Sequence, residues 1–310
     1  MSGIHHVTAV SGSASRNHDF YTRVLGLRFV KKTVNFDDPA TYHLYYGDET
    51  GHPGTILTFF PWEQAAAGRN GTGQALETAF AVPAASIGFW THRFVEQGVS
   101  HEAPVKLLDH TVLAFTDPDG MRLALVGAAD GRAGPNPNPD GISAEHAIRG
   151  MFGVTLLLED GQATSAILTD VLGFRRGKRD GALVRFEADA AVGNHIDIRE
   201  AQGFLSGRMG RGSVHHIAFR AKDDDMQAEM VRKLVKHHGV PTTEQIDRQY
   251  FRSVYFREPA GILFEIATDE PGFLVDEPPE ALGKALKLPQ FLEPRRAEIE
   301  ARLPQLQIIG

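Results

Sequence analysis

The sequence predicts an α+β chain built from four copies of one βαβββ module and closed by a short helical tail. Three observations lead there. Val24-Leu25-Gly26-Leu27-Arg28 returns as Val171-Leu172-Gly173-Phe174-Arg175, and Val7-Thr8 returns at the same offset as Val154-Thr155. A second pair, Phe115-Thr116-Asp117-Pro118-Asp119-Gly120 and Phe256-Arg257-Glu258-Pro259-Ala260-Gly261, carries Gly98-Val99 and Gly239-Val240 at a matching offset upstream. Single short matches arise by chance, whereas concordant offsets at two places mark internal duplication. The third observation is the stretch Gly127 to Gly141, whose Pro135-Asn136-Pro137-Asn138-Pro139 centre has linker composition and separates two halves of two modules each.

Each module opens on a β-rich run, which falls at Ile4 to Val10, Ala79 to Val82, Phe152 to Leu158 and Val214 to Arg220. A segment with helical spacing of apolar residues follows, as in Phe20, Val24 and Leu25. Extended runs then complete the module, separated by Pro-Gly or Asp-Gly turns suited to hairpins. The second and fourth modules end on the apolar runs Met121 to Val126 and Ile262 to Ala267. The expected boundaries are a first domain over 1–128, a linker over 129–148, a second domain over 149–270 and a tail over 271–310. Within the tail, Pro294 to Leu303 reads as an amphipathic helix with Pro at its start and another Pro ending it.

Composition narrows the function. The 310 residues include no cysteine, which removes disulfides, thiolate metal sites and thiol nucleophiles together. Histidine and carboxylate are then the strong ligands left to a metal. A net charge of −7 argues against nucleic-acid or anionic-membrane surfaces, which demand basic patches, and points to a small-molecule partner. No window approaches a membrane span, and Met1-Ser2-Gly3-Ile4-His5-His6 lacks the basic and apolar regions of a signal peptide, so cytoplasmic residence is the expectation.

Equivalent positions in repeated modules show which copies carry ligands. On the opening strands, His6 corresponds to Gly153, and His216 to approximately Glu77. On the closing strands, Glu265 corresponds to Thr58 in the first module and Ala124 in the second. Only the first and fourth modules therefore hold histidines there, and only the fourth holds the acid. Two imidazoles and a carboxylate make the facial triad of non-haem iron(II) sites, which leaves positions open for substrate and O2. Strand alternation puts His215 on one face with Ile217 and Phe219, which leaves His216 for the cavity, and the same parity selects His6 with Thr8. Glu265 lies in the apolar run Ile262-Leu263-Phe264-Glu265-Ile266-Ala267, where a carboxylate needs a partner or a metal. A single site per chain follows, with modules one and four facing each other. His195 and Asp197 have no histidine across from them and read as structural; Tyr42 and His43 divide evenly between pocket and strand pairing; His237-His238 suit a helix C-terminus.

The whole chain resembles the vicinal oxygen chelate superfamily of glyoxalases, bleomycin-resistance proteins and extradiol dioxygenases, whose modules pair into cupped half-barrel sheets around a metal. Gly3-Ile4-His5-His6-Val7-Thr8, Lys31-Lys32-Thr33-Val34-Asn35, Thr41-Tyr42-His43-Leu44-Tyr45-Tyr46 and His215-His216 resemble its ring-cleaving hydroquinone dioxygenases most. The resemblance implies His6, His216 and Glu265 as ligands of Fe(II), with Mn(II) as the alternative ion. It also implies that His5, His215, Thr8, Arg248 and Tyr255 act around the metal, in substrate orientation and proton transfer. For His215 this conflicts with strict alternation, a conflict that a bulge or a twist of the strand would resolve. The expected substrates are an aromatic diol and O2, and a homo-oligomer is left open. A glyoxalase-like isomerase or lyase, and a metal-free sequestering protein, are the rival readings.

Overall fold

The computed structural model describes residues 2–128 and 142–307, so most of the expected linker lies outside the described residues. The first module comprises β1 (Ile4–Ser11), α1 (Ala14–Asp19) with a π-helical turn (Phe20–Val24), β2 (Arg28–Asn35), β3 (Asp38–Gly47) and β4 (Ile56–Pro61). The second has β5 (Gln74–Pro83), α2 (Ile87–Glu96), β6 (Val105–Leu107), β7 (His110–Thr116) and β8 (Arg122–Ala128). In the third are β9 (Met151–Leu158), α3 (Gln162–Asp170), β10 (Arg175–Asp180), β11 (Leu183–Glu187) and β12 (His195–Glu200). The fourth holds β13 (Val214–Ala221), α4 (Asp224–His238), β14 (Ile246–Asp247), β15 (Phe251–Arg257) and β16 (Leu263–Pro271). β5 begins five residues before the expected Ala79, because Gln74, Ala75, Glu77 and Thr78 also pair with β9.

The modules combine crosswise into two eight-stranded sheets. One runs β14-β15-β16-β13-β1-β4-β3-β2, from modules four and one, and the other runs β10-β11-β12-β9-β5-β8-β7-β6, from modules three and two. Each sheet thus takes one module from each half of the chain, joined by antiparallel opening strands, β1 with β13 and β5 with β9. The halves have their own ties. Asp117 on the β7–β8 turn accepts the Tyr21 hydroxyl at 3.0 Å, and Glu258 on the β15–β16 turn accepts the Thr164 hydroxyl. The helices cover the outer faces through Trp90, Phe94, Ile167 and Leu234, all fully buried.

α4 shows how local sequence sets an element. Asp223 caps it by accepting the Met226 N–H, and Gly239 in the left-handed region ends it after His237-His238, as the macrodipole favours. The tail begins by burying charge. Lys31 is fully buried and pairs with Asp276 at 2.5 Å and with Glu277, while Tyr250 donates to Asp276 at 3.0 Å. Beyond it, Leu288, Leu292 and Ile299 pack with Val34, and α5 (Arg296–Arg302) forms within the segment expected to be helical.

Candidate metal centre and active site

His6 on β1, His216 on β13 and Glu265 on β16 meet at the middle of the first sheet, because these three strands are neighbours. His216 Nε2 lies 3.0 Å and His6 Nε2 3.5 Å from Glu265 Oε2, and the two Nε2 atoms are 3.4 Å apart. All three side chains are buried. Burial alone would push Glu265 up, but His6 and His216 hold its carboxyl well below the usual range. Ser253 on β15 donates to Glu265 Oε1 at 2.5 Å, whereas Oε2 has no hydrogen-bond partner. A buried carboxylate oxygen converging with two imidazole nitrogens fits a divalent ion with nitrogen and oxygen ligands. Sequence reasoning passed over Ser253, since a serine in a strand carries no signal until its cross-strand neighbours are known.

The register explains how both members of each histidine pair reach this region. β1 and β13 slip between Ile4/His6 and again between Thr8/Ala9. Ile4 pairs with Phe219 and His6 with Ala218, so His5 is the extra residue of a bulge on β1. Thr8 pairs with His216 and Ala9 with Val214, so His215 is the extra residue of a bulge on β13. Alternation is broken at both bulges, and each extra histidine turns its Nδ1 onto its neighbour's Nδ1, at 2.9 Å for His5–His6 and 2.8 Å for His215–His216. Burial, then the adjacent imidazole, lowers both, His5 well below the ordinary value and His215 to about 3, so both rings are neutral.

A cavity of about 320 Å³ opens onto the triad, with His6, His43, His215, His216, Arg248 and Tyr255 among its lining residues. Phe36, Phe60, Phe251 and Leu263 supply apolar walls, while Asn35 ends β2 and Asp37 lies on the β2–β3 turn. Arg248 is held from both sides: its Nε donates to the Tyr255 hydroxyl at 3.2 Å, and its Nη2 pairs with Asp37 at 3.0 Å. Burial, then Glu265, raises Tyr255, so the phenol keeps its proton. Burial opposes the Arg248 charge, but Tyr255 and Asp37 more than offset it. Of the evenly divided pair, His43 lines the cavity and Tyr42 packs in the core. His43 anchors a directed chain, with the Tyr45 hydroxyl on Nδ1 at 2.8 Å, Thr58 on Nε2 at 2.8 Å, and Thr58 donating to Thr8 at 2.8 Å. Thr8 therefore sits behind the site, and His5 lies outside this cavity.

Two curled sheets from four βαβββ modules, with two histidines and a glutamate clustered at the middle of one, define a class. The chain belongs to the Glyoxalase/Bleomycin resistance protein/Dioxygenase superfamily, whose family model matches residues 3–125 and 151–266. It is 46% identical to "Putative ring-cleaving dioxygenase MhqE" of Bacillus subtilis, covering 98% of this chain and 99% of that protein. It is 32% identical to "Chlorohydroquinone/hydroquinone 1,2-dioxygenase" of Sphingobium indicum, over 96% of this chain and 95% of that one. A crystal structure of a "putative dioxygenase" from Bacillus subtilis superposes with a TM-score of 0.95 at 42% identity, covering 100% of this chain and 98% of that chain. Among the described residues, no helix is long and apolar enough to cross a membrane.

Proposed function

We propose that this chain is a non-haem Fe(II)-dependent ring-cleaving dioxygenase acting on a hydroquinone-type aromatic diol. The observation that carries this reading is the buried Glu265 Oε2 converging with His6 and His216 beside an aromatic-walled cavity that holds Arg248 and Tyr255. Three protein ligands leave positions open, which suits co-substrate chemistry better than a closed structural site. When bound, the ion would supply the Lewis acidity and electron transfer that cleavage of a diol ring by O2 requires.

The chain's own residues account for the rest. A 1,4-diol cannot chelate one ion through both oxygens, so the far oxygen needs a protein partner. Arg248 and Tyr255 offer a fixed cation and a protonated phenol on the cavity wall, suited to an oxygen that gains negative charge. With His216 Nε2 on the ion, the His216 Nδ1–H would donate to His215 Nδ1, so His215 would present an Nε2–H that can donate to an oxygen of the bound diol. The phenylalanine walls exclude water from the reacting ring. The rival sequestering role gives no reason to gather the triad.

The test is anaerobic reconstitution with Fe(II), followed by O2 uptake with substituted hydroquinones and catechols. Stoichiometric O2 consumption with hydroquinones and ring-opened acid as product is the expected result. Arg248→Leu and Tyr255→Phe should each lower turnover by roughly 10²-fold or more while metal content stays unchanged. Zinc-supported turnover without O2 consumption would sink this reading in favour of a glyoxalase-like isomerase.

A further inference from the structure

The C-terminal tail returns to the mouth of the active-site cavity. Its path there is pinned: Leu286 bridges to Lys32 on β2, and Leu288 and Leu292 bury themselves with Val34. Between the two leucines the Pro289 carbonyl accepts the Leu292 N–H at 2.9 Å and closes a short loop. The backbone is thereby held, yet Phe291 on that loop is 64% exposed. A lone phenylalanine at a surface needs no explanation. What singles this one out is the space it faces.

A second chamber, of about 430 Å³, lies between Pro289 and Phe291 on the tail and Asp247 and Gln249 at the β14–β15 turn. Phe36 lines both this chamber and the cavity over the triad, and its ring meets Phe291 edge-on at 6.0 Å between centroids. The two spaces also share the β14–β15 turn: Arg248 lines the inner one, and the residues on either side of it line the outer one. That turn is held in a rare conformation. Gln249 takes a left-handed φ of 70°, its N–H donates to the Asp247 carboxylate at 2.8 Å, and the Tyr250 N–H donates to the Arg248 carbonyl at 2.8 Å. One constrained turn therefore aims Arg248 inward and gives Gln249 to the outer wall.

We propose that the outer chamber is a subsite for an uncharged apolar substituent of the diol ring, with Phe36 and Phe291 as the residues that select it. At about 320 Å³ the inner cavity already accommodates a ring with two hydroxyls, so what extends past Phe36 is a group carried by that ring. The substituent stands on the carbon beside the oxygen that meets Arg248, the ring position nearest the shared turn. Phe36, Pro289 and Phe291 give it apolar contact. Asp247 is the one charge among the chamber's described lining residues, and Arg248 is already paired with Asp37. A carboxylate on the substituent meets repulsion there and no free cation on the chamber wall.

The inference rests on the hydroquinone reading, and the test separates the two. Anaerobic calorimetry on the iron-loaded protein measures affinity for hydroquinone, phenylhydroquinone and 2,5-dihydroxyphenylacetate without turnover, and O2 uptake then gives kcat/KM for each. Phenylhydroquinone should bind roughly 10-fold tighter than hydroquinone, and the carboxylate more weakly than either. Phe291→Ala, at an exposed position that leaves the core untouched, should lower the phenyl-to-unsubstituted ratio of affinities roughly 3- to 10-fold, and Phe36→Ala should lower it as well. Phe291→Leu should restore part of the ratio. Asp247→Asn keeps an acceptor for the Gln249 N–H and should raise the carboxylate's affinity relative to hydroquinone. A ratio unchanged in Phe291→Ala, or an equal loss for all three diols, overturns the proposal and makes the outer chamber an entrance only; hydroquinone then still binds and consumes O2, so the diol reading stands. If none of the three diols binds or consumes O2, that reading falls and the subsite falls with it.

Discussion

The two eight-stranded sheets share one frame and differ in what stands on it. β5 and β9 slip between Ala75/Glu77 and between Ala79/Phe80, so the second sheet has its own pair of bulges, with Leu76 and Phe152 as the extra residues. These positions correspond to His215 and His5, the neighbouring Glu77 and Gly153 to His216 and His6, and Ala124 to Glu265. Duplication thus extends to the irregularities of the strands, and the backbone that presents a triad is present twice. The side chains at these positions differ, and only the first sheet gathers two histidines and a glutamate among the described residues.

The second copy is closed by packing as well as by missing ligands. The Phe152 ring lies flat on His195 at 4.1 Å between centroids, and the Arg185 guanidinium sits over the same Phe152 ring at 5.0 Å from its centroid. Arg185 forks onto Asp197 at 2.8 and 2.7 Å in a nearly buried pair. A Cβ at Gly153 would come within 2.3 Å of the His195 carbonyl oxygen, so a histidine there requires the backbone to move. Asp197 occupies the place of Thr58, and its charge is consumed by an arginine standing where the first sheet has Tyr45. One sheet spends its buried polar groups on a site, the other on its own cohesion.

The sharpest way to break this comparison is to remove ligands. His6→Ala, His216→Ala or Glu265→Ala should abolish stoichiometric metal binding while the circular-dichroism spectrum stays native. Full occupancy by elemental analysis in any of the three would move the metal elsewhere, with the second sheet as the first place to look. The converse experiment is Asp197→Ala. It leaves Arg185 charged and buried without a partner, and should destabilise the protein by about 3–5 kcal/mol in denaturant melts. Metal content should be unaffected; selective loss of metal from a folded Asp197→Ala protein would show that the sheets are not separate in function.

A smaller effect is expected at Ser253, whose counterpart in the second sheet is Val112. Ser253→Ala removes the donor that orients Glu265, and outer groups of this kind typically contribute about 10–100-fold to metal affinity. Unchanged affinity would mean that the strand alone aims the carboxylate.

The contrast also shows what a single sequence can disclose. Module order, the hairpin turns and the identity of the three clustered residues follow from repeats and alternation, because both depend on spacing along the chain. Bulges do not: an extra residue is defined against a partner strand, and β13 lies more than two hundred residues from β1. For that reason alternation assigned His215 to the packed face, whereas the structure turns it to the cavity. Arg248 was legible only by resemblance, and its partner Asp37, 211 residues away, was not legible at all. The crossing of modules one and four into one sheet followed from chemistry, since the ligands need each other.

The last test concerns a feature that both sheets keep, the turn carboxylate before each closing strand. Glu258 accepts the Ile262 N–H at 2.8 Å, and Asp117 accepts the N–H groups of Asp119 at 2.9 Å and Met121 at 2.8 Å. At Asp117, burial pushes the carboxyl up to about 6, against the lowering effect of the Met121 N–H and the Tyr21 hydroxyl. A raised native value means that the folded protein holds a proton the unfolded chain has released between about pH 4 and pH 6. The stabilising contribution is therefore complete below about pH 4 and is lost as pH rises through about 6. Two units correspond to about 3 kcal/mol at most. Asp117→Asn keeps an acceptor for both N–H groups and replaces the charge by an amide that the Tyr21 oxygen can accept from. The variant should match or slightly trail the parent at pH 4.5 and gain on it by up to about 3 kcal/mol at pH 7.5. If urea melts of the two proteins keep a constant difference across that range, Asp117 does not carry the proton, and the turn carboxylates of both sheets act only as hydrogen-bond acceptors.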